Sequence, residues 1–591
     1  GHARYRVWQS ELKGKDGRTL LDLLSIRLAW DVVLLELGDD AVGTAWSTVR
    51  RAYDRKPEPG FDFLVDCLLQ SAYDKAAQRT LAAKLARPAN DVVPKRPAAQ
   101  AAFCIDVRSE VFRRALETAE PDVEPIGFAG FFGLPIEYVP LGSSHGTAQC
   151  PVLLTPKFIV CEGAGAADGG GSEKVASLRT ARQRVALAWQ SFKLAAVSSF
   201  AFVESMGWTY AGKLVADTLG AARPLVGLGG GSEIAAKTQT APRIAPALIG
   251  GRTAGLSPEV RLDLAASILK GMSLTGPFAR IVLLAGHGSS TVNNPYATGL
   301  DCGACGGHTG EVNARVAAMI LNDPGVRAGL PSRGIVVPDD TVFLGCLHDT
   351  TTDLVTVFED MPVPPGHAHE LAVLEQSLAE AGRLARAERA LRLDLSGGRS
   401  VDAEIMARSR DWSQVRPEWG LAGCSAFIAA PRSRSAGIDL GGRCFLHSYD
   451  WRSDRDFATL ELIMTAPMVV ASWINLQYYG STVDNRAFGS GNKVLHNVVG
   501  GSVGVLEGNG GDLRAGLPWQ SLHDGQRLMH DPLRLSVILA APTAAIEAVI
   551  DRNESVRHLV DNGWIHLFSM DDSAPPTLRR YLGDRGWETL P

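Results

Sequence analysis

Apolar positions recur along this chain with a helical period in some stretches and as short unbroken runs in others. Near the start, Leu20, Leu21, Leu24, Leu28 and Val32 fall at helical spacing, so residues 1–86 read as helical. Pro88, Pro94 and Pro97 then mark a connector. Residues 101–107 form an apolar run of the kind a buried strand shows. Ser109 is placed to cap a helix behind it, whose Val111, Phe112, Ala115 and Leu116 face inward. Further strands are predicted over 151–160, 281–285 and 341–347, and near 443–449 and 535–540. Helices are predicted over 180–206, over 310–322 with Val312, Val316 and Met319 on one face, and over about 368–392 behind Pro362, Pro364 and Pro365. The glycine-rich run 163–172 reads as a surface loop, and the GGGSE at 229–233 is too short to make a repeat.

Strand–helix alternation of this kind predicts an α/β core with helical additions. The divisions expected are a helical region over 1–98, a core domain over 99–365, a helical insertion over 366–420 and a C-terminal α/β region over 421–591 packing on the core. Residues 462–483 carry no charge, but Pro467, Asn475 and Gln477 interrupt them. They read as a buried core segment, and no transmembrane helix is expected.

A length of 591 residues leaves room for two to four domains with a sizeable core. Hydrophobic and charged fractions of 46% and 21% are those of an ordinary globular protein. A net charge of −5 gives no footprint for nucleic acid, and no Lys/Arg run reads as a membrane anchor. Nine cysteines, an odd number without a regular framework and with no signal peptide opening the chain, point to a reducing compartment. In such a setting, clustered Cys and His favour a metal or redox task over stapling.

The clearest cluster is Cys104-x-Asp106-x-Arg108 at the end of an apolar run, with His287 and Cys302 following a later one. Two thiolates and an imidazole suit Zn²⁺. On a strand, Cys104 and Asp106 would leave on the same face, and Arg108 could grip Asp106 with a bidentate fork. His287 and Cys302 are expected beyond strand ends, where open α/β sheets bind ligands. The turn 301–307 could offer free N–H groups to an anion such as bicarbonate.

Other readings of these residues stay open. Cys302 and Cys305 could form a CxxC redox pair, or a compact metal site with His308 that does without Cys104. Cys67, Cys150, Cys161, Cys346, Cys424 and Cys444 read as small buried apolar residues. His367 and His369 read as solvent-facing, and His348 either handles protons near the site or bonds at a strand end. The GSGNK at 489–493 lacks P-loop spacing. The stretches 462–483 and 487–501 are candidates for docking or ligand contacts.

The Cys-x-Asp-x-Arg run with a later His and Cys resembles the zinc site of β-carbonic anhydrases, although fourteen residues separate His287 from Cys302. CIDVRSE at 104–110, GHGSSTVNNPYATGLDCGACGG at 286–307 and NARVAA at 313–318 are similar to the DabA family. So are HSYD at 447–450, TAPMVVASWINLQYY at 465–479 and VDNRAFGSGNKVLHNVVGG at 483–501. The resemblance runs from about residue 100 to the C-terminus, and the family carries more sequence ahead of its first motif.

It implies a β-carbonic-anhydrase-like core sheet, zinc held by Cys104, His287 and Cys302, and a catalytic dyad of Asp106 and Arg108. It also implies the function: the cytoplasmic subunit of an inorganic carbon transporter, peripheral on the cytoplasmic face of the inner membrane. There it would hydrate CO₂ to bicarbonate, with activity confined to the complex and coupled to cation flow through a complex-I antiporter-like membrane partner, DabB. The alternatives are a zinc-stabilised scaffold without chemistry and, from another class, a thiol redox protein.

Overall fold

The strand Ile281–Gly288 is buried at all eight positions, and this continuous apolar character places it at the centre of a five-stranded sheet. The computed structural model describes residues 18–54, 58–86, 96–151, 154–164, 171–194, 198–219, 240–292, 294, 297–395, 400–411, 413–414, 416–489, 506–507, 512–513, 516–584 and 586–590. In that central sheet Ile281–Gly288 pairs in parallel with Ala99–Cys104 on one side and Val342–Asp349 on the other. Val123–Phe128 and the antiparallel Leu354–Val357 form its edges.

Helix Glu311–Asn322 covers one face of the sheet with Val312, Val316, Ile320 and Leu321. Helices Val107–Ala119 and Ala368–Ala390 cover the other. The helix from Glu311 comes very close to the central strand: a Cβ on Gly286 would stand 2.1 Å from the carbonyl oxygen of Gly310, so only glycine fits there.

A second sheet of six strands runs Cys444–Ser448, Ala426–Ala430, Leu535–Leu539, Ile565–Met570, Leu578–Tyr581 and Trp587–Thr589. Its first four strands are parallel and its last two antiparallel. The two sheets meet where Leu446 N–H donates to Ile105 O at 3.3 Å and Arg113 reaches Leu446 O. Gly127 lies against that carbonyl so closely that a Cβ would sit 1.9 Å from it. One hydrophobic cluster runs across the junction, from Cys104, Ile105 and Val107 to Phe427, Phe445 and Leu539. The fold is therefore mixed α/β with several mixed sheets, as the strand–helix alternation predicts.

Several boundaries differ from expectation. The strand predicted over 101–107 ends at Cys104, because the chain turns there: Ile105 N–H still donates to Phe128 O, and Asp106 then caps helix Val107–Ala119. Ser109 lies inside that helix and caps nothing. The helix predicted over 180–206 comes as Gly171–Leu194 and Ser198–Met206. In the glycine-rich run 163–172, the strand Phe158–Ala164 ends and the helix from Gly171 begins; residues between them, and the GGGSE at 229–233, lie outside the described residues.

At the N-terminus, helix Thr19–Leu37 buries no residue. Helix Phe61–Leu85 packs on the second sheet, where Asp74, 2% exposed, accepts from Arg534 at 2.7–2.8 Å and meets His566 at 3.2 Å. The uncharged run of 462–483 belongs to two helices, Ala458–Thr465 and Pro467–Val483, broken at Ala466 ahead of Pro467. The pair is long and apolar enough by composition to cross a membrane. In this fold Leu460, Ile463, Met464, Met468 and Ala471 sit in the main core, and the Asn475 amide donates to Cys424 O and Leu533 O.

Candidate metal centre

Three elements deliver the central residues to one point. Cys104 is the last residue of its strand and His287 the last but one of the neighbouring strand. Cys302 opens a tight turn closed by its N–H to His308 O at 3.0 Å. The ligand atoms of Cys104, His287 and Cys302 all lie within 4.8 Å of one another, and all three side chains are buried. His287 thus sits on the strand itself, not beyond its end. Parallel strands deliver their C-terminal side chains to a common edge, which is why residues 183 positions apart in the chain can meet.

Gly130 roofs the sulfurs. A Cβ there would stand 2.7 Å from Cys302 Sγ and 2.9 Å from Cys104 Sγ, so the backbone leaves room for the two sulfurs and nothing more. His287 Nδ1 is buried without a hydrogen-bond partner, while Nε2 lies 3.5 Å from Asp106 Oδ2 and 3.4 Å from Arg108 Nη2. The neighbouring sulfur and burial push the Cys104 thiol well up, and burial does the same to Cys302. Two buried sulfurs that resist ionisation by themselves, an imidazole with an orphaned nitrogen and a roof that excludes a methyl group fit a thiophilic cation such as Zn²⁺.

Beside this group Arg108 forms a hub. Its Nε and Nη2 donate to Asp106 Oδ1 and Oδ2 at 2.8 and 3.0 Å, the bidentate fork expected from the sequence. The Arg108 backbone N–H adds a third bond to Oδ1 at 2.9 Å, because Asp106 caps the helix rather than extending the strand. Burial would raise the Asp106 carboxyl, but the charge of Arg108 and its hydrogen bonds outweigh it and hold the group below the usual carboxylate range. The other end of Arg108 donates to Leu300 O, to Thr350 Oγ1 and to Glu418. Glu418 is 3% exposed and also faces Arg389 at 3.6 Å.

Gly130, Thr350 and Glu418 were invisible in the sequence. A glycine in FAGFFG, a threonine in a polar turn and a lone glutamate 310 residues from Arg108 carry no local signal. The Asp301 carboxyl next to Cys302 is also part of this region. Burial pushes it up to about 7, even though Ser289 donates to it through its N–H and its hydroxyl.

Other candidates fall outside the group. Cys305 is buried, and among the described residues neither it nor His308 joins the three-ligand cluster. In the turn 301–307 and its exit, the N–H groups of Cys305, Gly306, Gly307 and His308 are spent internally, which leaves those of Gly303 and Ala304 outside this network. His348 is wholly buried, bonds Asp353 at 3.2 Å and packs on Phe112. His367 is buried and bonds Asp340 O at 2.8 Å, contrary to a solvent-facing role, whereas His369 is exposed. Cys67 is exposed where a buried residue was expected. Most of GSGNK and of 487–501 lies outside the described residues.

Fold and site together define an α/β protein with a buried two-sulfur, one-imidazole centre at the C-terminal edge of a parallel sheet. The chain belongs to the family described as "Probable inorganic carbon transporter subunit DabA", whose model matches residues 1–565. A relative of that name from Chloroflexus aurantiacus is 57% identical over 605 residues, covering 100% of this chain and 71% of its own length. Others come from Roseiflexus castenholzii, 57% identical with 100% and 70% covered, and from a Bradyrhizobium species, 56% identical with 100% and 71% covered. No solved structure matches the chain.

Proposed function

We propose that this chain is the zinc-binding, CO₂-hydrating subunit of an inorganic carbon transporter, held peripherally on the cytoplasmic face of the membrane by a cation-conducting partner such as DabB. The observation that carries this reading is the convergence of Cys104, His287 and Cys302 beside a carboxylate held by an arginine fork. A purely structural zinc site would favour a fourth Cys or His and has no use for such a pair. In this reading the region 99–365 is a β-carbonic-anhydrase-like zinc domain, flanked by helical regions over 1–98 and 366–420 and the α/β region over 421–591.

Zinc, when bound by Cys104, His287 and Cys302, supplies Lewis acidity that makes water a nucleophile near neutral pH. The chain's own residues decide whether that chemistry is available. Two thiolates offset the charge of a divalent ion, so the acidity of the site depends on the cations around it, of which Arg108 is the nearest. With both its oxygens in the Arg108 fork, Asp106 is kept from the space between the sulfurs and the imidazole. Released from the fork, its Oδ2, which lies 3.5 Å from His287 Nε2, would be free to move toward that space and close the site. A membrane partner that biased this choice would let hydration run in one direction.

The test is metal analysis of the purified chain with Cys104→Ser, His287→Ala and Cys302→Ser, together with carbon-dependent growth of cells carrying chain and partner. One zinc per chain, lost in each variant, is expected, with Asp106→Asn keeping zinc but losing uptake. Uptake that survives loss of the metal ligands would overturn the reading. Uptake lost with the ligands but intact in Asp106→Asn would leave a zinc scaffold. Rapid CO₂ hydration by the isolated chain would remove the need for the Asp106–Arg108 gate.

A further inference from the structure

Arg108 is held from two sides by buried carboxylates. Asp106 takes its Nε and Nη2, and Glu418 takes Nη1. The side chains of all three are at most 7% exposed, so water screens none of these interactions appreciably. Glu418 is itself held in place, with Thr350 Oγ1 3.3 Å from the same oxygen and Arg389 at 3.6 Å from the other. Two small cavities, of about 50 and 20 Å³, open on Glu418 and Trp419. Arg108 lines the larger, and Asp106 lines neither. Glu418 thus lines both cavities, although its side chain is the most deeply buried of the three.

We propose that Glu418 is a positioning residue that sets how firmly Arg108 grips Asp106, and through it whether the carboxylate is free to approach the metal. The inference rests on the metal-centre reading above. One guanidinium charge is divided between two carboxylates, so the attraction each feels depends on the other. Replacing Glu418 by Gln keeps its size and one acceptor but removes the competing charge. Arg108 then acts on Asp106 alone, and the carboxylate is withheld more strongly from the sulfur–imidazole group. Arg389→Gln acts in the opposite sense, because Glu418 then leans on Arg108 alone and the hold on Asp106 loosens.

The experiment titrates Co²⁺ into the full chain and records its visible spectrum and affinity for the wild type, Asp106→Asn, Glu418→Gln, Glu418→Asp and Arg389→Gln. Glu418→Gln is expected to shift the spectrum in the direction of Asp106→Asn and to weaken Co²⁺ binding by about tenfold, the scale on which groups behind metal ligands act. Glu418→Asp should return both readings toward the wild type, and Arg389→Gln should move the spectrum the other way. A merely supporting Glu418 would lower the thermal midpoint and leave the spectrum in place. That result, or silence of both Glu418→Gln and Arg389→Gln while Asp106→Asn moves the spectrum, overturns the proposal and spares the metal centre. No Co²⁺ binding by the wild type, or a silent Asp106→Asn, brings down the reading beneath it and the proposal together.

Discussion

Gly130→Ala adds one methyl group and no charge, and the structure fixes where that methyl goes. Its Cβ would stand 2.7 Å from Cys302 Sγ and 2.9 Å from Cys104 Sγ, well inside van der Waals contact, which begins near 3.5 Å. Metal–sulfur distances tolerate only about ±0.2 Å, so the sulfurs cannot yield by the amount required and both remain ligands. Either one thiolate is displaced from the metal or the backbone carrying residue 130 moves. Moving a packed backbone costs about 1–3 kcal/mol. Losing one of three protein ligands from a site worth about 10–16 kcal/mol costs about 3–5 kcal/mol, roughly a hundredfold or more in affinity. The assay is competition for Zn²⁺ against a chromophoric chelator, with thermal unfolding of the metal-free proteins as the control for folding. Gly130→Ala should bind zinc at least tenfold more weakly while its metal-free form melts close to the wild type. Wild-type zinc affinity in this variant would mean that the two sulfurs do not share a metal beneath residue 130, and the centre described here would be wrong.

Three further outcomes are expected. Cys305→Ser should leave zinc stoichiometry unchanged while Cys302→Ser abolishes it, as metal analysis would show; equal loss in both would favour a site built on the CxxC turn. Asp74→Ala strands Arg534 in a part-buried ion pair and should destabilise the docking of helix Phe61–Leu85 by about 3–5 kcal/mol, read as faster amide exchange in that helix. His530 is fully buried; burial, then Arg443 and Arg392, lowers its pKa to about 3. Because the unfolded chain takes up this proton from about pH 6.5 downward and the folded chain does not, the stability contributed by neutral His530 is complete above pH 6.5 and is lost as pH falls toward 3. Going from pH 7 to 5 should cost about 2 kcal/mol through this one residue, so His530→Asn should flatten the acid limb of the unfolding-midpoint profile, and an unchanged slope would contradict the assignment.

The sequence by itself determined the strands around Cys104, His287 and residue 346, the helices behind Gly310 and His367, and singled out the three side chains that meet as a candidate metal site. Each of these rests on a local pattern: an unbroken apolar run, a helical period with a stop signal, or a Cys and His at the end of such a run. The pairing of Arg108 with Asp106 was also legible, since the two stand two residues apart. What surrounds that pair was not. Asp106 turned out to be a helix cap because the strand ends at Cys104 and the chain turns there into helix Val107–Ala119. Gly130 roofs the sulfurs, and Glu418 reaches Arg108, only because a loop and a segment far along the chain are folded onto the same sheet edge. Helix Phe61–Leu85 likewise found its carboxylate's partners on the second sheet, more than 450 residues away. Local periodicity encodes which face of an element turns inward. Which distant element meets that face depends on how the whole chain packs, and that is where the environment of the metal centre was decided.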